Sequence, residues 1–404
     1  MAKRQFDLVI VGAGGAGLST AIAAKITLGP TARILVCAPG RHTQRQSIQA
    51  YAISAAPKNL LERIGVWSKI ARIQPIHRME ITDSELGDVV RQTYLEFDSS
   101  ENSSGPLAHI IPHNDLISAL EETAGAAGIE VCDREVTGFQ SSTTSVSVKL
   151  NRDETITAGL LVGCDGATSQ VRNLARIQVV GWNYDREAIV ATIAAEHDHG
   201  GTAVQHFLPA GTFALLPRNN NHFSVVWVEK PQSAAALCHL QETAFIAELQ
   251  KRAGNAFGKL ELREGPTTFP LQLQIARRFV SSRLVLIGDA AHTMHPLAGQ
   301  GLNLGLRDVG YLMAYLGKQA HLGLDIGQPD NLHAYEQSRR SETVKMLAAT
   351  DALFRIFTTE GRQTRLFRRL GLGLIDRLPI LKSTMIGQAA GDIGHVPGLL
   401  SARS

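Results

Sequence analysis

The 404-residue sequence predicts an α/β protein, α+β in its layout: a Rossmann-like dinucleotide-binding domain, a second domain built on a β-sheet, and helices at the C-terminal end. Three observations predict it. The chain opens on an apolar strand that runs into a G-x-G-x-x-G turn and an Ala-rich helix. A second succession of strand, Gly-rich loop and helix lies between Arg283 and Lys318. Between the two, stretches near 76–81, 91–97 and within 178–228 alternate apolar and polar residues at the period of a half-buried sheet.

The first unit is the strand Asp7 to Val11, followed by Gly12, Ala13, Gly14, Gly15, Ala16 and Gly17. Gly12 permits a tight turn, Gly14 lets the backbone approach a pyrophosphate, and Gly17 lets the helix from Leu18 to Ile26 pack on the strand. The second strand is Ala32 to Cys37. An acid usually closes that strand to hold an adenosine ribose, yet Ala38 stands there and no Asp or Glu occurs between Asp7 and Glu62. Arg41 and Arg45 follow instead. They suit a ribose phosphate, but a solvated loop, with the ribose held by backbone, Gln44 or Gln46, is the preferred reading.

Further along, Pro57 to Ile64 predicts a short helix closed by Gly65-Val66-Trp67, and Asn114 to Gly125 a helix that packs on the nucleotide sheet after the strand Ala108 to Ile111. Leu160 to Gly163 is a strand, and Cys164-Asp165-Gly166 a turn before a helix start near Arg172. The alternating stretches, including His222 to Val228, most simply form one sheet supplied by two separated parts of the chain. A substrate would bind where that sheet meets the nucleotide. Phe213, Leu215 and Trp227 on it read better as core than as substrate contacts.

The segment Gly288 to Asp308 carries the most functional information. The strand Arg283 to Ile287 ends on Gly288 and Asp289, and a Gly-rich loop leads into the helix Gly305 to Lys318. Such an acid accepts hydrogen bonds from ligand hydroxyls, while loop amides and a helix N-terminus stabilise negative charge. The run His295-Pro296-Leu297-Ala298-Gly299-Gln300-Gly301-Leu302-Asn303-Leu304-Gly305, with Asp308, resembles the flavin-contacting signature of the FAD-dependent aromatic-ring monooxygenases, in the version found in the hydroxylases of ubiquinone biosynthesis, which have the p-hydroxybenzoate hydroxylase fold. Leu160 to Arg172 resembles the same family's Asp-Gly fingerprint without a gap.

The resemblance implies a cofactor, FAD, with NADH or NADPH as co-substrate, and hydroxylation of the aromatic ring of a polyprenyl phenol using O2. It implies that Asp289 holds the ribityl chain, that Pro296, Gly299, Gln300, Gly301, Leu302 and Asn303 lie along the flavin ring, and that the Pro296 carbonyl sits near the reacting flavin carbon. It implies that Asp165 contacts FAD, and that Asp165 and Arg172 lie close to where the nicotinamide approaches. Phe213 to Pro217, after Leu208-Pro209-Ala210-Gly211, matches a family stretch above the flavin, apolar as an isoprenoid-tailed phenol needs. Two Arg usual in the family correspond here to Gln49 and Asn114. With Ala38 these are three weakened contacts, each worth about 1.5–3 kcal/mol. They leave open a weakly FAD-binding, non-catalytic member that serves as an accessory subunit of a quinone-biosynthesis complex, and also an oxidase or reductase of another small aromatic.

Composition agrees with a two-part enzyme: 44% hydrophobic and 19% charged residues are ordinary globular usage, and a net charge of +3 is too small to argue for nucleic acid. The expected division is 1–74, 105–175 and 276–330 for the FAD-binding domain, 75–104 and 176–275 for the substrate sheet, and 331–404 for a helical region. The start carries no signal peptide and no apolar run reaches membrane length, so a cytoplasmic chain is expected, at most peripheral at the inner face of the membrane. Cys37, Cys132, Cys164 and Cys238 are scattered and read as reduced thiols. No metal site is expected, since neither His292 with His295 nor His197-Asp198-His199 brings three convergent ligands. From Arg355 to Lys382 the chain is basic and amphipathic; an anionic membrane surface, a partner's helix, or packing on the flavin domain each suits it.

Overall fold

The structure is a computed structural model, and it describes residues 4–40, 47–84, 86, 91–101, 105–208, 211–294, 300–358 and 397–401. Its nucleotide sheet carries Val280–Ser281, Leu284–Leu286, Thr155–Gly163, Gln5–Val11, Ile34–Cys37 and Glu130–Cys132 side by side, the last five mutually parallel. The hairpin Val136–Ser141 and Val146–Leu150 joins at Thr155–Gly163. Central strands buried on both faces have to be continuously apolar. Leu8, Val9 and Ile10 and Leu160, Leu161 and Val162 are all at 0% exposure.

Helices cover this sheet. Gly15–Leu28 and Gln300–His321 lie together over it, and His113–Ala126 packs beside the first. All three begin earlier than the predicted starts at Leu18, Asn114 and Gly305, because backbone geometry rather than an apolar residue sets the first turn. Pro329–Thr358 is a 30-residue helix against the second.

The alternating stretches do form one sheet. Its eight strands run His292–Thr293, Leu260–Ala276, Val179–Ala195, His222–Glu229, Gly211–Arg218, Thr202–Leu208, Arg78–Asp83 and Thr93–Asp98, so residues near 78–98 join a sheet made mostly from 179–276. A three-stranded antiparallel sheet of Ala50–Ile53, Ala108–Pro112 and Gln74–Ile76 connects the two layers. Of its strands the sequence predicts Ala108 to Ile111 but not the two partners, which are only three or four residues long.

Phe213, Leu215 and Trp227 are core residues, as the sequence reading preferred. They face away from the nucleotide domain and pack with Phe245 and Leu249 of the helix Glu242–Ala253. The two-residue period therefore turns their neighbours Leu216, Ser224 and Val226 to the other face.

Two histidines are held neutral, His206 buried and His109 half-buried. Burial, helped by Lys58, lowers His109 to about 4, and burial, helped by Arg91, lowers His206 to about 3. Because each folded value lies below the unfolded value near 6.5, the unfolded chain takes up protons first as pH falls. Their stabilising contribution is complete above about pH 6.5 and is lost toward pH 4 and 3. Urea unfolding followed from pH 7 to pH 5, above the range of most carboxylates, should show the midpoint falling, with a slope of at most about 1.4 kcal/mol per pH unit for each group. His206→Gln should flatten that slope; an unchanged slope would remove His206 from the account.

Candidate functional site

The two Gly-rich units meet at one cleft of about 360 Å³ between the nucleotide sheet and the second sheet. Gly12 takes φ +107°, and a Cβ there would sit 2.4 Å from the Cys164 carbonyl oxygen. A Cβ on Gly17 would meet the Gly12 carbonyl oxygen at 2.0 Å. Both positions therefore exclude any side chain, as the spacing predicted. A Cβ on Gly14 has nothing within 4 Å, so backbone there faces open space in the cleft. That is the surface a pyrophosphate needs, and it fits a dinucleotide. Gly15 and Ala16 line the same wall, with Leu302 facing Gly15; Ala13 is packed behind it.

Across the cleft, the strand ending at Leu286 delivers Gly288 and Asp289. Gly288 has φ +57° and lies against Gly305, where an added Cβ would be 3.2 Å from the Gly288 Cα. Two glycines thus let the strand end approach the second turn of the helix Gln300–His321. The Asp289 carboxylate opens onto the cleft, with Oδ1 about 4.0 Å from where a Cβ on Gly301 would be. It is accessible from the cleft yet enclosed by protein elsewhere. That enclosure and the neighbouring Asp308 raise its carboxyl above the ordinary value, with His292 opposing. Gly301 and Leu302 line the cleft at the N-terminus of a 22-residue helix, whose partial positive charge favours an anionic ligand. Pro296 and Gly299 lie outside the described residues, as do His295, Arg41 and Arg45, and so does the basic stretch from 359 to 382.

Three sequence-predicted residues brace the site rather than face it. Asp165 caps the short helix Gln170–Leu174, accepting from Ser169 Oγ at 2.5 Å and Val171 N at 3.0 Å, while its neighbours Cys164 and Gly166 line the cleft. Arg172 is buried and donates to the carbonyls of Ala290 at 2.9 Å and Ala167 at 2.7 Å, tying the Asp-Gly turn to the acid-bearing loop. Asn303, 3% exposed, donates to the Ala52 carbonyl at 2.6 Å and accepts from Ser54 N at 3.2 Å. It fixes the helix start to the connecting sheet.

Beneath the loop lies a charge network that the sequence did not announce. Asp308, fully buried, accepts from Gly288 N at 2.9 Å, contacts His292 Nε2 at 2.6 Å, and accepts from Arg339 Nε at 2.7 Å. Arg339 also pairs with Glu342, which pairs with Arg307. Burial alone would raise the Asp308 carboxyl; the attraction and hydrogen bonds of His292 and Arg339 outweigh it and hold the group below its ordinary value. His292 is thus committed to a carboxylate. His199, from the other His pair, bonds Arg218 O and Gly201 N through its two ring nitrogens at 2.8 and 3.0 Å.

Gln49, Tyr51 and His113 line the cleft where the resemblance expects arginine nearby. Tyr51 Oη and His113 Nδ1 are 2.7 Å apart. Burial raises the Tyr51 phenol and lowers His113, so both are neutral near pH 7. Asn114 turns instead to the backbone of Ser47, donating to its carbonyl at 3.2 Å and accepting from its N–H at 3.2 Å. No Lys or Arg lines the cleft among the described residues. Hence polar contact to an anion there comes from backbone amides and neutral side chains. The Tyr51–His113 pair had a sequence signal only in hindsight: two polar residues on strand and helix ends facing one loop.

The opposite wall is apolar. Ala188, Val190, Leu216, Val226 and Phe269 face the cleft from the second sheet, with one hydroxyl among them, Ser224. Ser224 is 1% exposed, and its Oγ has no hydrogen-bond partner among the described residues.

Comparison with known proteins agrees with this geometry. Residues 5–350 match the family model described as FAD binding domain. The chain is 36% identical over 400 residues to ubiquinone hydroxylase UbiL of Rhodospirillum rubrum, covering 97% of this chain and 91% of that protein. It is 31% identical over 399 residues to 3-demethoxyubiquinol 3-hydroxylase of Escherichia coli, covering 97% and 100%. Among solved structures, p-nitrophenol 4-monooxygenase PnpA of Pseudomonas putida superposes with a TM-score of 0.79 at 16% identity, over 99% of this chain and 100% of that one, which speaks to the fold alone.

Proposed function

This chain belongs to the FAD-binding family of flavin-dependent aromatic hydroxylases, and from that premise we propose that it hydroxylates the ring of a prenylated phenol in ubiquinone biosynthesis, with NAD(P)H and O2 as co-substrates. The observation that carries the proposal is a single cleft with a dinucleotide turn and an acid-plus-helix terminus on one wall and an apolar sheet on the other. FAD supplies reduction by NAD(P)H and delivery of one oxygen atom from O2 to an electron-rich ring. The rest falls to the chain.

In this reading the backbone from Gly12 to Gly17 would hold the pyrophosphate, Asp289 would accept from ribityl hydroxyls, and the amides of Gly301 and Leu302 would stabilise negative charge on the flavin. Pro296, Gly299 and Gln300 are assigned to the same loop. Asp165 and Asn303 act by holding Cys164, Gly166 and the helix start in place. Tyr51, His113 and Gln49 take over polar contacts that an arginine would otherwise make. The domain division at 1–74, 105–175 and 276–330, against 75–104 and 176–275, is supported by the membership of the two large sheets, His292–Thr293 excepted, which pairs with the second. Among the described residues no helix is long and apolar enough to cross a membrane. Peripheral membrane association, or a quinone-biosynthesis complex formed through 331–404, belongs to the proposal as well.

The apolar wall excludes water from the ring, and Ser224 offers the substrate its one hydroxyl there. A neutral hydrogen bond contributes about 0.5–1.5 kcal/mol. Ser224→Ala should therefore raise KM for the phenol by about 2- to 10-fold while leaving FAD affinity unchanged. Steady-state kinetics with a flavin titration measures both.

The direct experiment is purification followed by a visible spectrum, addition of FAD, and NAD(P)H oxidation with and without a phenolic quinone precursor. Flavin absorption and substrate-stimulated oxidation with a hydroxylated product are expected. Bound flavin without stimulation would overturn the hydroxylase reading. Failure to take up FAD, with quinone-pathway enzymes co-purifying, would favour the accessory subunit.

A further inference from the structure

Cys37 and Cys132, which spacing in the sequence left unconnected, are directly opposed in register on neighbouring parallel strands, with Sγ atoms 3.7 Å apart. Both end their strands at the edge of the dinucleotide site. The Cys37 carbonyl accepts the Gly12 N–H at 2.8 Å, and the Cys132 carbonyl accepts the Ala38 N–H at 3.0 Å. The thiol pair is thus one hydrogen bond from the glycine turn, beside the position where Ala38 replaces the usual acid.

We propose that Cys37 and Cys132 are a peroxide-oxidisable dithiol whose disulfide loosens the Gly12 turn. The proposal goes beyond the hydroxylase reading and does not depend on it. The pair has the asymmetry the chemistry needs. Cys132 is half-buried and Cys37 is fully buried. The hydrogen bond between the thiols lowers Cys132, against burial and the carboxylates of Glu130 and Glu154 and with help from Arg134. The same contact and burial raise Cys37. Cys132, the thiol that solvent reaches, is therefore the sulfur that meets peroxide, and Cys37, buried against it, the one that resolves.

The Cys132 thiolate attacks one oxygen of hydrogen peroxide, the O–O bond breaks, and the departing hydroxide takes a proton to become water. Sulfenic acid remains on Cys132. The Cys37 sulfur then attacks Cys132 Sγ, the S–O bond breaks, and the hydroxide leaves with the Cys37 proton as a second water. Two thiols are oxidised by two electrons and one peroxide becomes two waters. Bonding requires the sulfurs to close to about 2.05 Å. Paired strands stand about 4.8 Å apart, at the short end of the Cα separations a disulfide spans, so the bond twists the two strand ends as the side chains rotate and shifts the Cys37 carbonyl relative to the Gly12 amide.

The test uses full-length protein treated with graded hydrogen peroxide. Peptide mapping without reduction should show a 37–132 crosslink, lighter by two hydrogens and reversed by dithiothreitol, while Cys164 and Cys238 remain alkylatable. Hydrogen exchange at the Gly12 to Gly17 peptide should accelerate at least threefold on oxidation and recover on reduction, and FAD affinity, by flavin fluorescence, should fall by a similar factor. Cys132→Ser and Cys132→Ala should show neither the crosslink nor the peroxide-dependent change. Thiols at 37 and 132 that stay alkylatable, a Cys132 that passes to sulfinic acid without pairing, or a crosslink that leaves glycine-turn exchange unchanged would each overturn the proposal. Absence of FAD binding in the reduced protein would count against the cofactor reading and leave the exchange result to decide this one.

Discussion

Replacing Arg339 by methionine is expected to destabilise the protein by about 3–5 kcal/mol, the largest effect of any single substitution, because it leaves the buried Asp308 carboxylate without its arginine partner. Arg339 is fully buried and reaches Asp308 Oδ1 through Nε at 2.7 Å. Methionine keeps much of the volume but none of the charge. Asp308 would then retain His292 and the Gly288 amide as partners. Its carboxyl, now held low, would rise toward protonation, and the hydrogen bond that positions Gly288 would weaken with it. Urea unfolding at pH 7 measures the loss. The double variant Arg339→Met with Asp308→Asn should recover part of it, since no buried charge is then left unpaired. If Arg339→Met alone unfolds at the wild-type midpoint, the network contributes nothing net and this account of the loop's support fails.

The second large effect is expected at Asp289. Its carboxylate faces the cleft beside Gly301 and makes no side-chain hydrogen bond among the described residues. A charge-assisted hydrogen bond to a ligand hydroxyl contributes about 1.5–3 kcal/mol. Asp289→Ala should therefore weaken FAD binding by about 10- to 150-fold, read as the midpoint of a fluorescence titration. The fold should survive, because the side chain opens to solvent in the cleft. Asp289→Asn should fall between the two, keeping one acceptor oxygen without the charge. Wild-type affinity in Asp289→Ala would remove this residue from the cofactor site and shift the weight to backbone amides.

Much of this molecule was legible from the chain order of its residues. Gly12 and Gly17 were predicted by spacing and stand where any side chain would collide with backbone. The apolar strands, the helix after the Gly-rich loop and the participation of residues near 78–98 in the second sheet were read from period. Even the preference for Phe213, Leu215 and Trp227 as core over substrate contacts held, because alternation in a strand leaves only one face for the opposite wall.

Other features needed the fold. The bracing roles of Asp165 and Asn303 are not visible in a motif, since a motif records which residues gather at a loop and not which way each side chain turns. Arg339 lies 31 residues beyond Asp308, on a helix whose own periodicity says nothing of a buried cation. Cys37 and Cys132 are 95 residues apart, and Tyr51 and His113 are 62 apart.

What the sequence determined by itself was local: where strands, turns and helix starts fall, and which backbone positions admit no side chain, since those depend on neighbours a few residues away. What the tertiary structure decided was pairing across distance: which acid meets which base, which thiol meets which thiol, and which face of a sheet closes the cleft. Such contacts depend on strand order and register, which sum small packing differences over the whole chain and leave no mark at any one position.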